Sequence, residues 1–359
     1  MYNFIKVNGT RLSRLQEIDS KINIVEPNDL EHFKHLVDVG YKVLIDALIN
    51  ESIEDNPYIK YVEEKKIPVL IDALYEANVM KFHNVNIDTP KTLLVSNLEL
   101  TNHEGFENAI LLPYFFIQSY VLWTKEFPKR FVTTALDVND HLDTEKLSCL
   151  CLNGINRLGR RFVYDYFKDN NLINDATFSF HNRGSEEQWE NEYPIIKLSN
   201  DIKVKDDGVQ WDNLFDHSWF KKTWFNLVTE SASHNEANRT SKALIKNQNC
   251  FFPTEKVFKP IYHCQPFICI AHTNFHNNLK KYLDIELYDE IWDYSFDEEE
   301  DYLKRWLMVC DQAKEKIENG IDYNLIKEKL KHNQSILLDE NRHKKFVSEF
   351  LLEIDKTHI

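Results

Sequence analysis

Two near copies of one short run, Val43 to Leu48 and Val69 to Leu74, both reading Val-Leu-Ile-Asp-Ala-Leu, set the tightest limit on how this chain folds. Runs this apolar and this brief, joined by Thr92 to Ser96 and Ala109 to Leu112, are the pattern of strands buried on both faces of a parallel sheet. Two such βα units put Asp46 and Asp72 at strand ends, the edge where doubly wound sheets bind ligands, with Glu51 and Glu76 just beyond. Ala and Leu also favour helix, and periodicity does not separate the two readings in runs so short.

A second series begins after the polar stretch from Asp137 to Lys146, which is where the spacing places an interdomain crossing. It reads as a strand at Ser148 to Leu152, a helix from Arg157 to about Lys168, and strands at Thr177 to Phe180 and near Trp224 to Val228. A helix from Thr254, a strand at Pro266 to Ala271 and a helix near His276 to Tyr282 complete it. A polar, Trp-bearing insertion spans 182–212. After Asp297 the chain turns charged and helical, with Leu303, Trp306 and Leu307 at helical spacing. At 359 residues there is room for two cores. The expected divisions are 1–145, 146–300 and a helical segment 301–359.

Within the second series, the residues from Phe251 to Ile261 carry the most chemistry. Thr254 has the type and place of an N-cap, and Glu255 sits where a helix start tolerates negative charge. Lys256 and Lys259, three apart on one face, oppose the helix dipole there, which an anion such as a diphosphate explains. Glu255 would then accept from a ribose or sugar hydroxyl. The same holds for Arg157, Arg160 and Arg161, which open a helix straight after the apolar strand ending in Asn153-Gly154. The alternative for both patches is a solvated helix face, Arg161 pairing with Asp165 or Asp169.

Thr254-Glu255-Lys256, preceded by Leu227-Val228-Thr229-Glu230-Ser231, resembles the fucosyltransferase-like glycosyltransferases of the GT-B fold. There a Glu-Asn-Ser segment is followed by Thr-Glu-Lys and an apolar strand. Here Glu230-Ser231-Ala232 stands in the first position, so the Asn is absent, and Pro266-Phe267-Ile268 opens the strand. The pattern Leu152-Asn153 with Arg157 and Arg160 resembles the opening of the nucleotide-binding half of the same transferases and of related uncharacterised phage and bacterial proteins. The likeness covers about residues 147 to 300.

It implies an α/β, GT-B-like fold of two Rossmann-like domains facing across a cleft, with C-terminal helices packing back across it. It implies transfer of a sugar from a nucleoside-diphosphate donor held by Asn153, Arg157, Arg160, Glu230, Thr254, Glu255, Lys256 and Lys259. A carboxylate of the first domain would take the acceptor proton if the reaction inverts, with Glu51, Glu76 and Asp46 as candidates. The acceptor would be a glycan or another molecule, modified DNA among them. A transferase acting on a modified DNA base and a sugar-nucleotide-binding module without turnover stay open.

Composition trims the field. The chain is 43% hydrophobic and 13% aromatic, which excludes disorder. No Gly-x-Gly-x-x-Gly or Walker loop occurs, which argues against a dinucleotide oxidoreductase or a P-loop kinase. No Asp-x-Asp occurs either, so metal-independent chemistry without a cofactor is expected, cations and a helix N-terminus meeting the leaving diphosphate. A net charge of −15 weighs against a broad grip on nucleic acid. The basic start, Lys6, Arg11 and Arg14, reads as a solvated face.

No signal peptide is legible, and the run Ala109 to Trp123 is broken and too short to span a bilayer. A cytoplasmic protein, in the host cell if phage-encoded, is therefore expected. Cys149, Cys151, Cys264 and Cys269 fall in or beside apolar segments, as small buried residues of a reducing compartment do. His263, His272 and His276 read as helix-end and loop residues rather than metal ligands.

Overall fold

The computed structural model describes residues 1–7, 12–46, 56–72, 87–95, 108–126, 135–142, 146, 148–155, 157–183, 217–230 and 251–357. They form an α/β protein with two parallel sheets, and the chain divides into two compact units. Unit 1 comprises Met1–Val121, Asn235–Phe252 and Asp339–Ile359. Unit 2 comprises Leu122–His234 and Pro253–Leu338.

Unit 1 is built on strands β1 (Tyr2–Val7), β2 (Ile22–Val25), β3 (Lys42–Asp46), β4 (Val69–Asp72), β5 (Lys91–Val95) and β6 (Asn108–Leu111), in the spatial order β2-β1-β3-β4-β5-β6. Every pairing is parallel. The repeated Val-Leu-Ile-Asp runs are thus adjacent strands in register, Val43 to Asp46 against Val69 to Asp72. Val69 to Asp72 are all buried, as covering on both faces requires.

Helices α1 (Leu30–Asp38) and α2 (Pro57–Lys65) start where the sequence supplies caps. The Asp29 carboxylate accepts from His32 N–H, and Asn56 accepts from Tyr58 and Ile59 N–H ahead of Pro57. Helix α3 (Tyr114–Tyr120), wholly buried, follows β6. β1 is an element that the sequence reading did not include: Phe4, Ile5 and Val7 are core residues in the sheet interior, while Lys6 is part-exposed and pairs with Glu26 at 2.8 Å, and Arg11 lies outside the described residues. Asn3 and Lys6 break its apolar run, which hides it from a hydropathy pattern.

Unit 2 holds α4 (Val138–Leu142), β7 (Cys149–Ile155), α5 (Leu158–Asp169), β8 (Thr177–Arg183), α6 (His217–Lys222) and β9 (Phe225–Thr229). Then come α7 (Glu255–Tyr262), β10 (Phe267–Ile270), α8 (Phe275–Leu283), α9 (Tyr302–Asn319) and α10 (Tyr323–Leu338). Its sheet runs β10-β9-β7-β8, again all parallel. In both sheets the second strand flanks the first on one side and the third flanks it on the other. That is the doubly wound order, whose direction reverses between first and third strands.

The final helix, α11 (Glu340–Lys356), belongs to unit 1. Its His343 stacks on Tyr120 at 4.4 Å between ring centroids, and Asp355 lies 3.9 Å from Lys42. On α9 the spacing of Leu303, Trp306 and Leu307 does not mark one buried face. Trp306 is fully buried, whereas Leu303 and Leu307 are exposed, and Arg305, Val309, Cys310 and Ala313 complete the inner side.

Candidate functional site

At the C-terminal edge of the second sheet, where order reverses between β7 and β9, the residues singled out in this half of the sequence meet. Pairing of β7 with β8 slips between Asn153 and Ile155, a bulge at Gly154. Asn153 is buried there and serves as a clamp across three strand ends. Its N–H donates to Ser179 Oγ at 3.2 Å, its Nδ2 to Cys151 Sγ at 3.3 Å, and its Oδ1 accepts from Thr229 Oγ1 at 2.6 Å.

Glu230 follows β9 directly, its N–H donating to Ile270 O of β10 at 3.0 Å. Both carboxylate oxygens are taken by one residue: Thr254 N–H donates to Oε1 at 2.9 Å and Thr254 Oγ1 to Oε2 at 2.7 Å. Glu230 therefore holds the start of α7 in place. Burial raises its carboxyl above the usual range, against the Lys256 charge and the Thr254 bonds. Thr254 is the N-cap that its residue type suggests, accepting from Lys256 N–H at 3.5 Å.

Lys256 does not stand out in solvent, as a cation on a solvated face would. Its side chain is 18% exposed, and its Nζ donates to Thr254 Oγ1 at 2.9 Å and to Glu255 Oε1 at 3.0 Å. Glu255, 7% exposed, is pushed up by burial, but the charges of Lys256 and Lys259 outweigh this and hold it below the usual carboxylate range. Lys259, on the same helix, is buried too.

From the other side comes α5. Arg157 is its N-cap, with extended backbone and no side-chain cap bond, and its carbonyl accepts from the N–H groups of Arg160 and Arg161. Arg160 is buried at the third helical position, facing Glu230 and Glu255. Burial, and after it the Arg157 charge, pulls its guanidinium down to about 10, so it stays charged at neutral pH. Arg161 is buried as well.

Among the described residues, the charges acting on one another here are Arg157, Arg160, Lys256 and Lys259 against Glu230 and Glu255. Arg157, Arg160 and Lys256 stand at the starts of α5 and α7, where the macrodipole adds further positive potential, whereas Lys259, expected to oppose the dipole, falls in the last turn of the short α7, where the dipole favours a cation.

On unit 1, Asp46 ends β3 opposite Asp72 at the end of β4, and Asp72 is buried. The Asp46 side chain, Glu51 and Glu76 lie outside the described residues, as does the insertion from 184 to 216.

Sequence reasoning passed over the groups that brace the edge. Thr229 and Ser179 orient Asn153, and Arg305 donates to Ala271 O at 3.2 Å and Thr273 Oγ1 at 2.9 Å in the loop after β10. Nothing in the local pattern marks them. His276 pairs with Asp297 at 2.8 Å, but this is scaffold: Asp297 also accepts from the N–H groups of His276 and Asn277 at the start of α8, and His276 Nε2 accepts from Cys269 N–H. Among the described residues no group of His, Cys, Asp and Glu is arranged to hold a metal ion, the five cysteines are free and buried, and no helix is long and apolar enough to cross a membrane.

Compared with known proteins, the sequence matches no family model and no curated protein matches it significantly.

Proposed function

We propose that this chain is a metal-independent glycosyltransferase of GT-B-like architecture whose unit 2 binds a nucleoside-diphosphate sugar at the C-terminal edge of its sheet. The observation that carries the reading is the gathering of Arg157, Arg160, Lys256 and Lys259 beside Glu230 and Glu255, with the starts of two helices among them, at the switch point of a doubly wound sheet. A diphosphate matches that charge, and the crevice at a switch point is where nucleotides sit in such sheets.

In this reading the acceptor's oxygen bonds to the sugar's anomeric carbon as the C–O bond to the diphosphate breaks and the nucleoside diphosphate leaves. Arg157, Arg160, Lys256 and Lys259 stabilise the charge growing on the leaving oxygens, in a site whose low polarity strengthens each interaction. Asn153, Glu230 and Thr254 keep those groups in place through the strand clamp and the α7 cap. If the reaction inverts, the acceptor's proton goes to a carboxylate of unit 1, and Asp46, Glu51 and Glu76 are the groups to test.

The deciding experiment pairs thermal shifts against a panel of nucleoside diphosphates and their parent nucleosides with release of free sugar from the matching donors. The reading expects a shift of several degrees for one diphosphate, little for its nucleoside, and slow donor hydrolysis. No shift with any diphosphate would overturn it. A shift without hydrolysis or transfer would leave a sugar-nucleotide-binding module.

A further inference from the structure

Arg305 is a buried cation to which the proposed transfer gives no part. It is 4% exposed, lies in the first turns of α9, and holds the loop that follows β10. Its Nε donates to Ala271 O at 3.2 Å, and its Nη1 to Thr273 Oγ1 at 2.9 Å and to the Glu299 carbonyl. Nη2, the third nitrogen of the fork, carries two hydrogens and has no partner among the described residues.

A buried guanidinium donor without an acceptor is costly, and a ligand can supply the acceptor. The charge itself is already met. Asp297, Glu299 and Asp301 all act on Arg305, yet each is engaged elsewhere: Asp297 with His276 and the start of α8, Glu299 with Lys304, Asp301 with the start of α9. Those three carboxylates would repel a further anion, whereas a neutral acceptor such as a carbonyl oxygen supplies what the fork lacks.

Two more groups of the same loop stand open. Thr273 Oγ1 accepts from Arg305 and keeps its own proton to donate. The Asn274 side chain makes no hydrogen bond among the described residues, not even the cap bond that its place before α8 permits, and its backbone is left-handed with φ +59°. The loop begins just after Ile270, whose carbonyl accepts from Glu230 N–H, and β10 is the neighbour of β9. It therefore lies about 5 Å beyond β9, on the side away from β7, where a nucleoside arrives if its diphosphate rests on Arg157, Arg160 and Lys256.

Resting on the donor-site reading above, we propose that Arg305, Thr273 and Asn274 form the site for the donor's nucleobase and select bases that present a carbonyl oxygen, guanine and uracil, over adenine. Arg305 Nη2 and the Thr273 hydroxyl donate to that oxygen, and the Asn274 amide pairs with the base edge beside it. Adenine carries an amino group in place of the oxygen, so donor meets donor. A site built around such a bond rejects the ligand that lacks it.

The test titrates wild type, Arg305→Lys and Asn274→Gly calorimetrically with GDP, UDP, ADP and inorganic pyrophosphate. Pyrophosphate engages the phosphate cations alone, and so reads any damage unrelated to a base. Wild type is expected to bind the better of GDP and UDP about tenfold or more tighter than ADP. Arg305→Lys keeps the charge but loses the fork, and should weaken that ligand about tenfold while pyrophosphate moves by less than about twofold. Asn274→Gly, which the left-handed backbone accommodates, should weaken it about threefold to tenfold with pyrophosphate again unmoved, and decides the matter if the lysine variant does not fold.

Equal losses for pyrophosphate and the nucleoside diphosphate would make both residues braces of the loop and overturn the proposal. ADP binding as tight as the better of GDP and UDP, or a preference that survives both substitutions, overturns it too. In each case wild-type binding of a nucleoside diphosphate leaves the donor-site reading standing. If no ligand binds wild type, the donor-site reading fails and the base site with it.

Discussion

Thr254 carries more of the site than its size suggests, because its N–H and hydroxyl both donate to Glu230 while the hydroxyl accepts from Lys256. Removing the carboxylate leaves two buried donors unmatched, so Glu230→Ala should cost roughly 2–3 kcal/mol of stability. Glu230→Gln, which retains an acceptor, should cost less, and urea midpoints at pH 7 compare the two. Because the Glu230 carboxyl is raised in the fold, the folded protein holds its proton to higher pH than the unfolded chain, and this contribution to stability falls as pH rises past the usual range. Glu230→Gln should flatten that part of the profile. For Lys256→Ala the burial of the side chain predicts two losses at once. Nucleoside-diphosphate binding should weaken by about 1.5–3 kcal/mol, and stability should drop by about 1–3 kcal/mol because Glu255 loses a partner in a buried place. Calorimetric titration and urea denaturation read the two effects separately, and an undiminished affinity would remove Lys256 from the site.

Helix α7 is held at both ends. Glu230 fixes its start, and at its C-cap the His263 carbonyl accepts from His141 Nε2–H at 2.7 Å, the ring of His141 stacking on Tyr323. His141 Nδ1 in turn accepts from Lys146 Nζ at 2.8 Å, and Lys146 also donates to the Lys221 carbonyl. These partners require a neutral ring. Burial, and then the Lys146 charge, brings its pKa from 6.5 down to about 4. The unfolded chain therefore takes up a proton that the folded one refuses between pH 6.5 and 4, and stability is lost as pH falls through that window. The loss should total roughly 3 kcal/mol, and His141→Gln, able to keep both bonds, should remove it from an acid-denaturation curve.

Elements with strong local signals were legible. The paired Val-Leu-Ile-Asp runs gave β3 and β4, Arg157 marked the start of α5, and Thr254 that of α7. The gathering of Arg157, Arg160 and Lys256 was legible because cations in a first turn oppose the helix dipole, a rule that needs no tertiary knowledge; it misjudged Lys259, because the early end of α7 at Tyr262 puts that residue in the last turn. What escaped is non-local. β1 conceals its core residues between Asn3 and Lys6, and the binding of Glu230 by Thr254 joins residues 24 apart through space. The inward turn of Lys256 depends on Glu255 being buried, which no spacing reveals.

At the scale of the molecule, neither unit is continuous in sequence. Helix α11 places Val347, Phe350, Leu351 and Ile354 in the interior of unit 1, whose strands lie before residue 112. Those four side chains represent roughly 6–12 kcal/mol of burial, comparable with the whole stability of a domain. Removing residues 339–359 should therefore strip hydrogen-exchange protection from β1, β3 and β4, and leave β7, β9 and β10 protected. Equal loss in both sheets would mean that the units do not unfold separately. The same arrangement sets a timetable for synthesis. A ribosome that has released β6 must still add more than two hundred residues before α11 emerges, on the order of tens of seconds at common elongation rates. Through that interval unit 1 carries an open apolar flank while unit 2 can finish ahead of it, so the half of the chain made first is the one that most needs shelter from aggregation and from proteases.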